Sequence, residues 1–140
     1  MRYLLDTCVI SEVTKKRPSA KVLTWLDVQD EMSLFLSVLT VGELQKGVSK
    51  LPTSRKRRQL QHWVAQELPR RFTGRLLAVD AEVAVRWGTI SGRAEQQGRP
   101  VPVLDGLLAA TALVAGLTLV TRNTPHMHAT GVPLFDPWAS

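Results

Sequence analysis

Pro102-Val103-Leu104-Asp105-Gly106-Leu107-Leu108-Ala109-Ala110-Thr111-Ala112-Leu113-Val114-Ala115-Gly116-Leu117-Thr118-Leu119-Val120-Thr121 is the stretch from which the fold can be read. Its first part is rich in Ala and Leu, which lose little side-chain entropy in a helix, and Asp105 stands where an N-cap would accept from the first free amides. Gly116 ends that helix, since glycine takes the left-handed turn of a C-terminus without a Cβ clash. Leu117 to Thr121 follows as a short apolar strand. Helix, glycine, strand is the rhythm of α/β units.

Moving outward from it, the same rhythm recurs. Leu76 to Val79 reads as a strand, and Asp80 caps a helix whose apolar positions are Val83, Val85, Trp87 and Ile90, ending before Gly98. At the front, Arg2 to Leu5 is an apolar strand broken by Asp6-Thr7, with a helical pattern through Val9, Ile10 and Val13. Ser19 caps a second helix, Ser33 to Val38 is a buried strand, and a third helix starts at about Val41. A long amphipathic helix through Leu60, Trp63, Val64 and Leu68 ends near Pro69, and a last short strand falls around Val132 to Phe135. The pattern predicts a three-layer α/β/α sandwich with a mainly parallel sheet of four to five strands, in one domain over residues 1–140.

Composition narrows the class. With 140 residues, 44% of them hydrophobic, the chain can bury a core without staples, and its one cysteine, Cys8, excludes an internal disulfide. The run from Leu107 to Leu117 falls short of the ~20 residues that span a bilayer. Met1 to Leu5 meets Asp6 too early for a signal peptide. The expectation is a cytoplasmic protein with no membrane partner.

The net charge of +6 is unevenly spread. Between Leu44 and Val79 nine basic residues face a single acid, Glu67, so that stretch carries +8 and the rest of the chain −2. Its densest part, Arg55-Lys56-Arg57-Arg58, opens a helix and is a candidate for steering a polyanion such as RNA. A solvated charged helix face is the plainer alternative. The eight aromatic residues lie mostly at apolar positions, so no base-stacking platform is legible.

In parallel α/β sheets ligands bind beyond the carboxyl ends of the strands. Asp6 follows the first strand, Glu43 the second, and Asp105 opens the helix before a later strand, so all three can face one crevice. Clustered carboxylates suit Mg²⁺ or Mn²⁺, which activate water and neutralise charge in phosphodiester hydrolysis. Each acid also has a local reading: Asp6 as a turn residue, Thr40-x-x-Glu43 as a capping box, Asp105 as an N-cap. Only their combination favours a metal site.

That combination resembles a known family. Tyr3-Leu4-Leu5-Asp6-Thr7, with Val9-Ile10-Ser11-Glu12 after it, Val41-Gly42-Glu43-Leu44, the Pro102 to Ala112 stretch, and Leu119-Val120-Thr121-Arg122-Asn123 are similar in order and spacing to PIN-domain nucleases. The likeness is to VapC-type toxins of type II toxin–antitoxin pairs, in the FitB-like branch. It implies a ribonuclease using Mg²⁺ or Mn²⁺, with Asp6 and Asp105 as metal-binding aspartates and Glu43 completing the acidic cluster. Thr7, Thr121 and Asn123 take supporting places. It further implies RNA as substrate, a cognate antitoxin as inhibitor, a homodimer or hetero-oligomer, and contact with DNA only through the antitoxin.

One position departs from the pattern. His126 stands where many members carry a fourth acid, which lowers the negative charge of the site by one and, since imidazole suits Mn²⁺ better than Mg²⁺, bears on metal preference. As plain alternatives, His126 and His128 are loop residues, and Asp136 is a turn residue near the end. The rival to a nuclease is a catalytically weak PIN-like module that binds RNA or protein.

Overall fold

The computed structural model describes residues 1–139. Five strands form one sheet: β1 (Tyr3–Leu5), β2 (Leu34–Ser37), β3 (Leu76–Leu77), β4 (Thr118–Val120) and β5 (Leu134–Phe135). Their order is β3-β2-β1-β4-β5, and every pairing is parallel. The expected sheet is therefore present with its full five strands. Its strands are shorter than the apolar runs that announced them.

Alternation along β1 shows the layering. Leu4 is fully buried with Leu108, Ala109, Ala112, Leu117, Leu119 and Met127 on one side, while Leu5 packs with Val9, Ile10, Val22, Leu36, Leu68 and Val120 on the other. Successive strand residues point to opposite faces, and a parallel sheet covered on both faces buries both sets.

Around it lie α1 (Thr7–Glu12), α2 (Ala20–Val28), α3 (Val38–Ser49), α4 (Arg55–His62), α5 (Leu68–Arg71), α6 (Ala81–Gln96), α7 (Val103–Ala115) and α8 (Thr124–Met127). Ser19 caps α2 and Asp80 caps α6 as the sequence predicts, each side chain accepting from the amide three residues on. Gly116 ends α7 at φ 69°. Glu12 is buried at the end of α1, where it accepts from the Ser19 amide at 2.8 Å and from Lys15 Nζ at 2.9 Å, tying α1 to the start of α2.

Three expectations are corrected. The third helix starts at Val38 rather than Val41, because Ser37 at the end of β2 caps it by accepting from the Leu39 amide at 3.0 Å. Thr40 and Glu43 thus lie inside α3 and form no capping box. Pro102, not Asp105, is the cap position of α7, and Asp105 sits in its first turn. The amphipathic helix does not stop near Pro69: α4 widens into a π-turn over Trp63–Glu67, in which Leu68 N–H reaches Trp63 O, and α5 carries on to Arg71. Pro69 falls in the first turn of α5, where a missing amide costs least.

Beyond β1 the chain builds outward through β2 and β3, then returns to place β4 and β5 on the other side of β1. The strand order reverses between β1 and β4, and in parallel α/β sheets the carboxyl ends of the strands at such a reversal are where a ligand crevice forms.

Candidate active site

Asp6 is the residue on which this crevice closes. Its amide continues the sheet by donating to Val120 O at 2.9 Å, and its side chain caps α1, Oδ1 accepting from the Thr7 amide at 2.7 Å. Oδ2 accepts from Thr121 Oγ1 at 2.7 Å. Thr121 follows β4 and is fully buried, and its hydroxyl oxygen accepts from the Asn123 amide at 3.0 Å, which leaves its proton for Asp6. Both carboxylate oxygens are thereby fixed in direction.

Glu43 arrives from α3. Thr7 Oγ1 donates to Glu43 Oε1 at 2.6 Å and lies 3.4 Å from Thr40 Oγ1. Thr40 is fully buried, so the hydroxyl that the sequence offered as a cap instead packs behind the Thr7–Glu43 contact. Asp105 comes from the opposite side, half-buried in the first turn of α7.

The electrostatics connect the three. Burial raises the pKa of Asp6 above its ordinary value, hydrogen bonds from Thr121 and Thr7 oppose the rise, and the charge of Asp105 adds to it. Asp105 is likewise raised, by burial first and then by the charge of Glu43, with His126 pulling the other way. Among the described residues none of the three acids is ion-paired with Lys or Arg. Asp105 thus acts on Asp6 and Glu43 on Asp105, and hard oxygen donors of this kind suit a divalent ion such as Mg²⁺ or Mn²⁺. Among the described residues no group of three His, Cys, Asp or Glu side chains is already drawn into a metal cage.

The remaining sequence candidates divide. His126 lies on the short helix α8, not in an open loop, and its influence on Asp105 puts it at the edge of the acidic site. Asn123 contributes its backbone amide, while its exposed side chain makes no cap for α8. Arg55, Lys56, Arg57 and Arg58 form the first turns of α4, which is joined to α3 by paired Gln45–Gln61 amide bonds of 2.9 and 2.7 Å. Arg57 and Arg58 line a surface hollow with Gln61 and His62, one helix away from the carboxylates. Asp136 is a turn residue, accepting from the Trp138 amide at 2.8 Å.

Two neighbours of the site escaped the sequence reading. Thr40 carried a signal that pointed elsewhere. Cys8, whose thiol lies 3.8 Å from Asp6 Oδ2, carried none; burial and the Asp6 charge push its thiol up, keeping it protonated.

Comparison with known proteins agrees with this geometry. The family model described as PIN domain matches residues 3–130. Toxin FitB of Neisseria gonorrhoeae is 38% identical over 135 residues, covering 96% of this chain and 97% of that protein. VapC ribonuclease Y4jK of Sinorhizobium fredii is 34% identical over 135 residues, covering 96% of each. Among solved structures, that of FitAB bound to an IR36 DNA fragment superposes with a TM-score of 0.91 at 36% identity, over 97% of this chain and 95% of the other.

Proposed function

Since this chain belongs to the PIN-domain family, among the FitB and VapC toxins, we propose that it is the ribonuclease toxin of a type II toxin–antitoxin pair, with Asp6, Glu43 and Asp105 holding a divalent cation at the crevice. What supports the reading is that Asp105 acts electrostatically on Asp6 and Glu43 on Asp105, with none of the three ion-paired to Lys or Arg among the described residues, and that Asp6 stands where strand order reverses. Bound Mg²⁺ or Mn²⁺ supplies a Lewis acid for the phosphodiester and lowers the pKa of an attacking water.

The chain's own residues set the stage for that chemistry. Thr121 and the Thr7 amide aim the two oxygens of Asp6, and the Thr7 hydroxyl holds Glu43 toward the same space. Asp105, without a hydrogen-bonded partner of its own in the crevice, is the acid free to adjust as substrate and ion enter. Low solvent access around Asp6 strengthens each of these interactions. Thr121 acts as a positioning residue, and Arg55 to Arg58 provide a cationic approach for the RNA backbone.

FitAB supports the partner assignment: this chain would be neutralised by a cognate antitoxin, assemble with it or with a second copy, and meet DNA only through it. No helix among the described residues is long and apolar enough to cross a membrane, and the expected compartment is the cytoplasm.

The test is cleavage of total cellular RNA by the purified protein in Mg²⁺ or Mn²⁺. Activity is expected to vanish with EDTA and with Asp105→Asn. Cleavage persisting in Asp105→Asn would count against Asp105 as a metal ligand and point to a contaminating nuclease. His126 at the edge of the site, in place of an acid, favours a second reading as a weak or inactive RNA- or protein-binding module. RNA binding without cleavage at any concentration of either ion would decide for it.

A further inference from the structure

Beside the acidic crevice lies a cleft of about 350 Å³ between the loop that follows α6 and the segment from α8 onward. Gln97, Arg99 and Pro102 line one side, and Pro125, His126 and His128 the other. It contains no acid. Its polar lining is a guanidinium, two imidazoles and a carboxamide, all able to donate hydrogen bonds, and imidazole keeps one N–H donor even when neutral.

Two features bear on what would occupy it. Pro102, on the cleft wall, is the cap position of α7 and offers no side-chain oxygen to the first amides, and the acid in that first turn is Asp105 of the proposed reaction centre. His126 is shared: it lines the cleft and acts electrostatically on Asp105. His126 thus stands between the acid-free cleft, whose fixed charge is Arg99, and the acidic residues of the proposed reaction centre.

We infer that this cleft is a phosphate subsite, which seats a backbone phosphate of single-stranded RNA next to the one being cleaved. Arg99 supplies the charge and His128 a hydrogen bond, and His126 marks the border between the two sites. Successive phosphates of one strand then run from a cationic seat to the acidic centre. This rests on the ribonuclease reading above.

The test uses a single-stranded oligoribonucleotide of ten nucleotides and the double variant R99A/H128A, both residues being exposed. In steady-state cleavage KM is expected to rise about tenfold with little change in kcat, as for removal of a charge-assisted hydrogen bond to substrate. The slope of log affinity against log salt, read by fluorescence anisotropy in EDTA, becomes less steep by about 0.7 when one phosphate is no longer neutralised. Oligonucleotides with one neutral methylphosphonate linkage locate the seat: at one position next to the cut, the neutral linkage weakens wild type but leaves the variant unaffected. Cleavage with KM, salt slope and methylphosphonate sensitivity the same in both proteins overturns the inference. Should no RNA be cleaved, the ribonuclease reading fails separately, and the anisotropy arm still decides: reduced affinity in the variant upholds the subsite, equal affinity rejects it.

Discussion

Thr7 Oγ1 donates to Glu43 Oε1 across 2.6 Å, joining the first turn of α1 to the interior of α3 over 36 residues of sequence. The same residue donates its amide to Asp6 at 2.7 Å, so one threonine orients two of the three acids. Removing the hydroxyl while keeping the shape separates these roles. Thr7→Val leaves the Asp6 contact and frees Glu43. A hydrogen bond to a charged group is worth about 1.5–3 kcal/mol, so kcat/KM for RNA should fall about 10- to 100-fold, with Thr7→Ser close to wild type. Equal activity in Thr7→Val and wild type would show that Glu43 needs no such anchor.

The acids also set a pH dependence. Asp105 is held above the usual carboxylate range by burial and by Glu43. A carboxyl whose pKa is higher in the folded state binds its proton more tightly there, so folding is favoured below the unfolded pKa of about 3.9 and loses stability as pH rises through the folded pKa. Above that value the loss is constant. Metal-free Asp105→Asn should therefore melt higher than wild type at neutral pH, the gap closing as pH falls toward about 4. Added Mn²⁺ should raise wild type alone, by about 2.7 kcal/mol at 100 times its Kd, and so reverse the order. Thermal melts across pH, with and without Mn²⁺, read both effects.

Next to Asp105, Gly106 lets α7 approach α6. A Cβ there would meet Trp87 Cδ1 at 2.9 Å and Nε1 at 3.1 Å, and Trp87 is wedged into the cluster of Val83, Ile90 and Ala110. Gly106→Ala gains about 1 kcal/mol of helix propensity but incurs about 1–3 kcal/mol of overpacking. A net destabilisation of about 1 kcal/mol is expected, lowering Tm by about 4 °C. Gly92, on α6, has open space around it, so Gly92→Ala should instead stabilise, by up to about 1 kcal/mol. Denaturant titration of the pair checks whether the close approach, and not helix propensity, governs this site.

Arg75, nearly buried before β3, is the strut of the opposite side. It donates to the carbonyls of Glu31 at 2.8 Å, Leu34 at 2.6 Å and Arg71 at 2.6 Å, and its guanidinium lies 4.8 Å from the Phe72 ring centroid. Arg75→Met keeps the stem but strands three acceptors, at a cost of about 3–5 kcal/mol. Against a typical domain stability of about 5–15 kcal/mol, this is a large loss, readable by urea denaturation. A shift below 1 kcal/mol, on the order of a single neutral hydrogen bond, would mean that water replaces the guanidinium.

What could be read from the sequence follows the range of the interactions involved. Ser19 and Asp80 cap helices through amides three residues away, and Gly116 turns the chain by its own freedom, so each announced itself locally. Thr40 and Ser37 are both small hydroxyl residues ahead of an apolar helix, and nothing local says which one caps it. Packing of Thr40 behind Thr7 decides the matter, 33 residues away. The π-turn before Pro69 depends on how Val64 and Leu68 enter the core, and periodicity does not carry that. Of the three candidate acids only Asp6 directly follows a strand; Glu43 lies inside α3 and Asp105 in the first turn of α7, and the sequence singled them out by their order along the chain. The hydroxyls that aim them were only partly legible, since the bond of Thr121 to Asp6 spans 115 residues.

His126 offers the last prediction. It acts on Asp105 in the direction opposite to burial and Glu43, lowering its pKa. His126→Asp replaces it with a fourth carboxylate and removes that relief. Without metal the variant should melt below wild type at neutral pH, because another like charge is forced into the crevice. With Mg²⁺ the added hard oxygen ligand should lower the half-saturating concentration and restore or exceed the wild-type Tm. Imidazole tolerates Mn²⁺ better than Mg²⁺, so the gain should be larger for Mg²⁺. Melting curves titrated with each ion separate the two effects: a loss of stability that neither ion repairs would place His126 outside the metal-binding space and leave its part to the neighbouring cleft.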